Sequence, residues 1–432
     1  MANLVRVGTG FSQEKDSKIA AELALTHALS TLGGKPPQLT LVFYSGDFDP
    51  YAISAVVKKQ LGKLPFVGGS TDAVVYDDRL HTFGIAIACV SSDYLHFGVA
   101  GCDNISKNTL AKAKDTIRHA VQAIPLDHYT DAYMAFNRMK KGNITGMIRI
   151  PNFFSFVFTR GFQVVRMGNE DLIIDGMNEE VGYYIPLFGG SLGDHMEKVF
   201  NQTPYEIYAF HNGKVYRDGL VCAFACTDLL YAHSLEHGYN ITNKLGAVTG
   251  VANGGFVVTD VNHQNVTDWY ASQVGSSKQK FLKNILYHTQ KNPVGIPDGF
   301  GHIIMRAGGV PFKNYLSYIA PFHENAPVFV MDMVSKPHIM KATKTINGDL
   351  HKQLKKHMDP CFTFVTTCSS RRLLLQDDLN KEVAMLKKHL HCPIFGFSSF
   401  GEIGSKPASP SHFHHLTINV FTLYDELLTN LR

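Results

Sequence analysis

The hexapeptide Pro65-Phe66-Val67-Gly68-Gly69-Ser70 recurs as Pro186-Leu187-Phe188-Gly189-Gly190-Ser191 and again as Pro393-Ile394-Phe395-Gly396-Phe397-Ser398. Three copies of one apolar-to-glycine turn indicate an internal repeat. Each copy follows a β-rich run, over 39–45, 153–159 and 361–368, and after a polar excursion precedes another, over 84–90, 219–227 and 416–423. In the first unit Asp49-Pro50 opens a helix, Asp as N-cap and Pro in the first turn. In the third, Asp377 and Asp378 open a helix with Leu379, Val383, Leu386 and Leu390 on one face, and Lys387, Lys388 and His389 close it in the order the helix dipole favours. The unit reads strand, helix, strand-turn, loop, strand, and layering of helices on a sheet follows. Ahead of the first unit, a helix over 13–32 sets Ile19, Ala20, Leu23, Ala24, His27, Ala28 and Leu32 on one face and stops at Gly33-Gly34.

The copies lie 121 and 207 residues apart (186 − 65 and 393 − 186). Unequal spacing excludes a solenoid of equal units and predicts an inserted element or a domain junction in the second interval. We place the junction near residues 239–244. The predicted class is α/β, two domains of mixed sheets with packed helices built from related strand-helix-strand units. The N-terminal domain spans 1–238 and carries the units around Gly68 and Gly189; the C-terminal domain spans 239–432 and carries the unit around Gly396.

At 432 residues the chain is too long for one ordinary core. With 45 % hydrophobic and 18 % charged residues it lies outside the composition of disordered chains. A net charge of +4 supplies no field to hold nucleic acid or an anionic membrane surface. Residues Met1 to Gly10 lack a basic and apolar leader, and no apolar run approaches the roughly 18 residues of a spanning helix, so a cytoplasmic chain is expected. Seven cysteines are an odd number, and reduced thiols are expected. Histidine is the compositional outlier, with 21 residues against one Trp.

Several groups carry possible chemistry. The Gly-containing turns either bring backbone amides and a hydroxyl close to a ligand or allow tight strand-to-loop packing. Cys222 and Cys226 share one face of a strand and read as core. Cys368 ends a strand before Ser369, Ser370, Arg371 and Arg372, where guanidinium groups would lower a thiol pKa; the other reading is a strand-end role. There is no zinc-finger spacing, no G-x-S-x-G and no H-E-x-x-H, so an enzyme is not expected; a thiol-dependent one using Cys368, or one acting through Glu402, is the alternative. Ser411-His412-Phe413-His414-His415 leads into the last strand, and alternation sets His412 and His414 on one face and His415 on the other. Such a run serves a ligand, a metal or a solvated turn.

The order of these residues resembles the FIST family, whose FIST-N and FIST-C halves occur in bacterial sensory proteins and in an F-box ubiquitin-ligase subunit. The resemblance rests on Val7-Gly8-Thr9-Gly10-Phe11-Ser12, Leu39-Thr40-Leu41-Val42-Phe43 and Phe66-Val67-Gly68-Gly69-Ser70-Thr71 in the first half. In the second half it rests on Ala247-Val248-Thr249, Val258-Thr259-Asp260-Val261, Trp269-Tyr270, Cys368 with Arg371, Gly396-Phe397, Gly401-Glu402-Ile403-Gly404 and Phe413-His414. Where the family usually carries Asn after Phe-His, this chain has His415, which implies a changed ligand preference. The resemblance implies a ligand-sensing module without catalysis, its ligand bound in a cleft where Cys368, Arg371, Gly396, Glu402 and His414 converge. A pairing of Arg371 with Glu402 at the strand end is the alternative.

Among FIST proteins the chain is similar to the NosP group, haem-binding nitric oxide sensors. That similarity implies haem b, a partner sensor histidine kinase or cyclic-di-GMP enzyme, and neither nucleic acid nor membrane as a partner; a homodimer is compatible with it. His414, His415 and His412 are the candidate axial residues, with His195, His233 and His323 next. The alternative ligand is a small, amino-acid-like metabolite without haem.

Overall fold

A computed structural model describes residues 3–124, 152–163, 168–312, 314–354, 359–376 and 378–428. The repeated hexapeptides form strands Phe66–Thr71, Leu187–Ser191 and Ile394–Ser399. Each pairs in parallel with the strand before it, Leu39–Ser45, Asn152–Thr159 or Pro360–Cys368. In the three pairs Val42 faces Gly68, Val157 faces Gly189 and Val365 faces Gly396. A Cβ on those glycines would stand 1.8, 2.0 and 1.7 Å from the carbonyl oxygen of the facing valine. No side chain fits there, which is why glycine recurs in the hexapeptide.

Each unit closes with a strand antiparallel to its first, Ile85–Ser91, Leu220–Thr227 or Ile418–Leu427. An outer strand lies beyond each, Arg6–Ser12, Leu95–Cys102 or Leu229–Glu236. The polar excursions are hairpins, and each leaves its own unit. Ala73–Tyr76 with Arg79–His81 joins the third sheet, Ala209–His211 with Lys214–Tyr216 joins the first, and Glu402–Gly404 with His412–His414 joins the second. Three six-stranded mixed sheets result, each completed by another unit's hairpin. Their inner faces share one apolar cluster, in which Phe43 and Phe158 stand 5.0 Å apart and Phe158 and Phe364 6.0 Å apart. The fold is the α/β arrangement of mixed sheets and packed helices that the repeat implies.

The helix Pro50–Leu61 starts as expected, with the Asp49 carboxylate accepting from the Tyr51 amide. The helix Asp378–Leu390 buries Leu379, Val383, Leu386 and Leu390, together with Glu382; Asp377 lies outside the described residues. The first helix, Ser17–Ser30, departs from the expected face: Ile19 and Leu23 are half-exposed, while Ala20, Ala21, Ala24, Leu25 and Ala28 are buried. Close approach decides this. Gly8 and Gly10 run so near the helix that a Cβ would meet the Ala28 and Ala24 carbonyls at 1.8 and 1.9 Å, and only small residues suit that contact.

The long second interval holds an inserted element. Between Leu229–Glu236 and the helix Lys341–Gln353 runs an eight-stranded sheet, from Leu245–Ala252 to Pro327–Val330, with its own core around Trp269, Tyr270 and Phe281. Among the described residues no helix is long and apolar enough to cross a membrane. None of the seven cysteines is bridged.

Candidate functional site

The third unit's hairpin carries the histidine run, with Glu402 facing His414, Ile403 facing Phe413 and Gly404 facing His412. Strand alternation sends His412 and His414 to one side, and the chain turns at His415 to send that ring to the other. A cavity of about 140 Å³ lies on each side. The inserted sheet closes both, held against the hairpin by the His415 amide donating to the Met305 carbonyl at 3.0 Å and by Arg306 Nη1 donating to the Phe413 carbonyl at 2.8 Å.

The first cavity is polar. His237, His412 and His414 line it with Ser405, Lys406 and Asp298. Burial, with the neighbouring Lys406 and Arg371 cations, pushes the His237 pKa down to about 3. Burial and the surrounding cationic and imidazole groups hold His414 well below the ordinary imidazole range. His414 Nδ1, His412 Nε2 and Ser405 Oγ have no hydrogen-bond partner. The charged groups are already engaged: Lys406 pairs with Glu236, and Asp298 accepts from two backbone amides and from Ser409 Oγ.

The second cavity is apolar. It lies at the carboxyl ends of Asn152–Thr159, Pro360–Cys368 and Ile394–Ser399, where Phe162, Cys368 and Phe400 wall it. Leu286, Ala307 and Val310 of the inserted sheet and its helices form the opposite wall. His415, 1 % exposed, is buried in its wall with neither ring nitrogen partnered, whereas the buried Thr289 hydroxyl, also in the lining, donates to the Leu286 carbonyl. Burial and Arg306 push the His415 pKa down to about 3.

The residues expected to converge are distributed differently. Cys368 lines the apolar cavity and His414 the polar one, so they do not face each other across one cleft. Arg371 lines neither. Its fully buried guanidinium pairs with Glu382, not with Glu402, and donates from Nη1 to the carbonyls of His237 at 2.9 Å and Leu416 at 3.0 Å. Glu402 is also fully buried, accepting from Ser399 Oγ, from Thr417 N at 3.2 Å and from Thr417 Oγ1 at 2.6 Å. Burial outweighs those bonds and raises its pKa to about 7. Gly396 is interior to its strand against Val365. The Cys368 thiol is not activated, since burial and then the Glu402 charge push its pKa well above the ordinary thiol range.

Of the other histidines, His195 hydrogen-bonds Asp47 at 2.7 Å and lies near Asp72 and Glu197. Arg372 already bridges those two carboxylates and fills the position a cation would take. His233 is buried, donating from Nδ1 to the Ser405 carbonyl at 3.2 Å, and His323 is exposed. Sequence reasoning missed His237, Ser405 and the inserted-sheet wall. His237 follows a strand 175 residues before His412 (412 − 237), a separation at which no local pattern links them.

The FIST N domain model matches residues 38–264 and the FIST C domain model residues 267–405. No curated protein sequence matches the chain. Among solved structures, one described as cyanuric acid hydrolase, an evolutionary innovation by structural concatenation, is 9 % identical, with a TM-score of 0.35 over 97 % of this chain and 100 % of its own. PurLQS from Thermotoga maritima is 10 % identical, with a TM-score of 0.21 over 97 % of this chain and 72 % of its own. With its two domain models in sequence over most of its length, this chain belongs to the FIST family of sensory, ligand-binding modules.

Proposed function

We propose that this FIST protein senses a ligand with an apolar body held in the cavity between Cys368, Phe400 and the inserted sheet, and that His415 is the ligand's polar anchor. The state of His415 carries the reading. A buried imidazole with two unpartnered nitrogens costs about 1–3 kcal/mol per unsatisfied group, and a ligand that engages one nitrogen recovers part of that. The position agrees, since open α/β sheets hold ligands beyond the carboxyl ends of their strands. Because the inserted sheet forms one wall, occupancy biases how that sheet sits on the core. The proposed output is a partner protein that reads this surface, a sensor histidine kinase or a cyclic-di-GMP enzyme by family resemblance.

Haem is the ligand implied by the resemblance to NosP proteins. The donor chemistry suits it, because axial ligation by histidine needs a neutral ring nitrogen in a dry pocket, and His415 supplies both. The space does not. A cavity of about 140 Å³ matches the roughly 150 Å³ that takes benzene, whereas cofactor-sized sites run to about 300–1,000 Å³. Haem therefore requires the inserted-sheet wall to lift, while a small aromatic molecule fits with the walls in place. When bound, haem would supply an iron that takes nitric oxide. His414 and His412 face the other cavity and drop below His415 as axial candidates.

Titration of the full chain with haemin, followed at the Soret band, and with indole, followed by thermal shift, tests the reading in wild type and His415→Ala. A Soret band lost in His415→Ala identifies haem. An indole-dependent rise in melting temperature lost in that variant identifies a small ligand. No response to either, or responses that His415→Ala leaves unchanged, overturns the proposal.

A further inference from the structure

We propose that the polar cavity beside His412 and His414 is a second, separate binding site, for a small uncharged molecule that both donates and accepts hydrogen bonds, such as an amide, a urea or a lactam. The inference stands on the unclaimed hydrogen-bonding capacity of its lining. Ser405, 2 % exposed, and His414, 5 % exposed, each present an unpartnered atom, and His412 Nε2 is a third. His237 Nδ1 accepts from the Tyr239 amide at 2.9 Å, so in the neutral ring Nε2 bears the hydrogen and donates. One fixed donor, two imidazoles free to choose a tautomer and one hydroxyl form a set complementary to a group such as N–H beside C=O.

Charge selects against ionic ligands. A carboxylate would need a free cation, and Lys406 is committed to Glu236 while burial opposes protonation of the three histidines. A cation would face Lys406 and the nearby Arg306, with Asp298 already engaged by three donors. A chelated metal ion has no preformed set, because among the described residues the three-ligand cluster with donor atoms close enough is Asp72, His195 and Glu197, elsewhere in the fold. A neutral ligand pays the smallest desolvation cost on entry. The volume of about 140 Å³ limits it to a single small ring.

The isosteric series acetamide, acetate and acetamidinium, with 2-imidazolidinone as a ring-sized probe, tests the site by histidine ring ¹⁵N NMR on the full chain. His412→Gln and His414→Gln assign the two rings. Acetamide and 2-imidazolidinone are expected to shift both resonances, with acetate and acetamidinium binding at least about tenfold more weakly, and Ser405→Ala weakening 2-imidazolidinone by about tenfold, the effect of one lost buried hydrogen bond. His415→Ala, on the other side of the hairpin, is expected to leave these shifts in place. Equal binding by a charged twin, no shift at either ring in folded protein, or retention of full affinity in Ser405→Ala overturns the proposal.

Discussion

Two cavities of equal volume flank one short hairpin, and they differ in nearly everything else. On one side imidazoles, a hydroxyl and paired charges make a polar chamber; on the other a single histidine stands among aliphatic and aromatic walls. Three residues, His412, Phe413 and His414, followed by a turn at His415, are enough to supply both. The period of a strand assigns neighbouring side chains to opposite faces, so a run of similar residues becomes two sites of opposite polarity. Arg371 ties the two together, holding the His237 carbonyl by the polar cavity and the Leu416 carbonyl by the apolar one.

The largest way to break the contrast is therefore Arg371→Met. It leaves Glu382 buried without its partner and releases both carbonyls, and a loss of about 3–5 kcal/mol in denaturant unfolding is expected. The companion variant Arg371→Met with Glu382→Leu is expected to recover part of that. If the single variant loses under about 1 kcal/mol, the shared support is wrong.

Acid probes both walls at once. His233, His237 and His415 have folded-state pKa values of about 4, 3 and 3, below the unfolded value of about 6.5. Protons thus favour the unfolded chain, and the stability these groups contribute is complete above pH 6.5 and lost as pH falls toward 4. Glu402 acts oppositely: its folded value of about 7 lies above its unfolded one, so its contribution is present at low pH and lost as pH rises through 7. Of these four groups alone, three protons against one contribute about 2–3 kcal/mol per pH unit to the slope between roughly pH 6.5 and 4.5, and His211, lowered to about 4, and His414, held well below the ordinary imidazole range, steepen it. Unfolding free energies across this range measure it. His415→Leu and His237→Leu are each expected to remove about one proton from the slope, and a slope unchanged by either would show that ring to be solvated.

His415→Leu sharpens the comparison further. Removing two unpartnered nitrogens from an apolar cavity is expected to stabilise the protein by about 1–2 kcal/mol while abolishing ligand binding there. Destabilisation would mean the ring has partners, and the two cavities would be less different than described. The smallest effect belongs to the polar side, where Ser405→Ala is expected to change stability by under about 1 kcal/mol, since its hydroxyl gives up no protein hydrogen bond. A loss above 2 kcal/mol would count against an unclaimed hydroxyl.

Much of the fold was legible because it is written in local backbone constraints. A Cβ at Gly68, Gly189 or Gly396 would stand within 2.0 Å of the facing valine carbonyl, so these glycines cannot be replaced and mark the three units in the sequence itself. Asp49-Pro50 sets a helix start, and the alternation of His412, Phe413 and His414 puts the two imidazoles on one face, without reference to the rest of the chain. Long-range choices were not legible. Each hairpin completes another unit's sheet, an exchange the repeat allows and does not specify, because pairing within or between units satisfies the same backbone hydrogen bonds. Arg371 found Glu382 on a helix rather than Glu402 in the Gly-Glu-Ile-Gly turn, because Glu402 had already been claimed by Ser399 and Thr417. Cys368 stood in sequence beside two arginines yet is held neutral by burial, and His237 and Ser405 joined the polar cavity across distances no pattern spans. The sequence by itself determined the unit, its turns and the faces of its strands, since these depend on residues within a few positions of one another. Only the tertiary structure decided which groups are desolvated, which charges are paired and where the inserted sheet leaves room, since these depend on how whole elements pack together, whether the partners lie 11 residues apart, as Arg371 and Glu382 do, or 107, as Arg306 and Phe413 do.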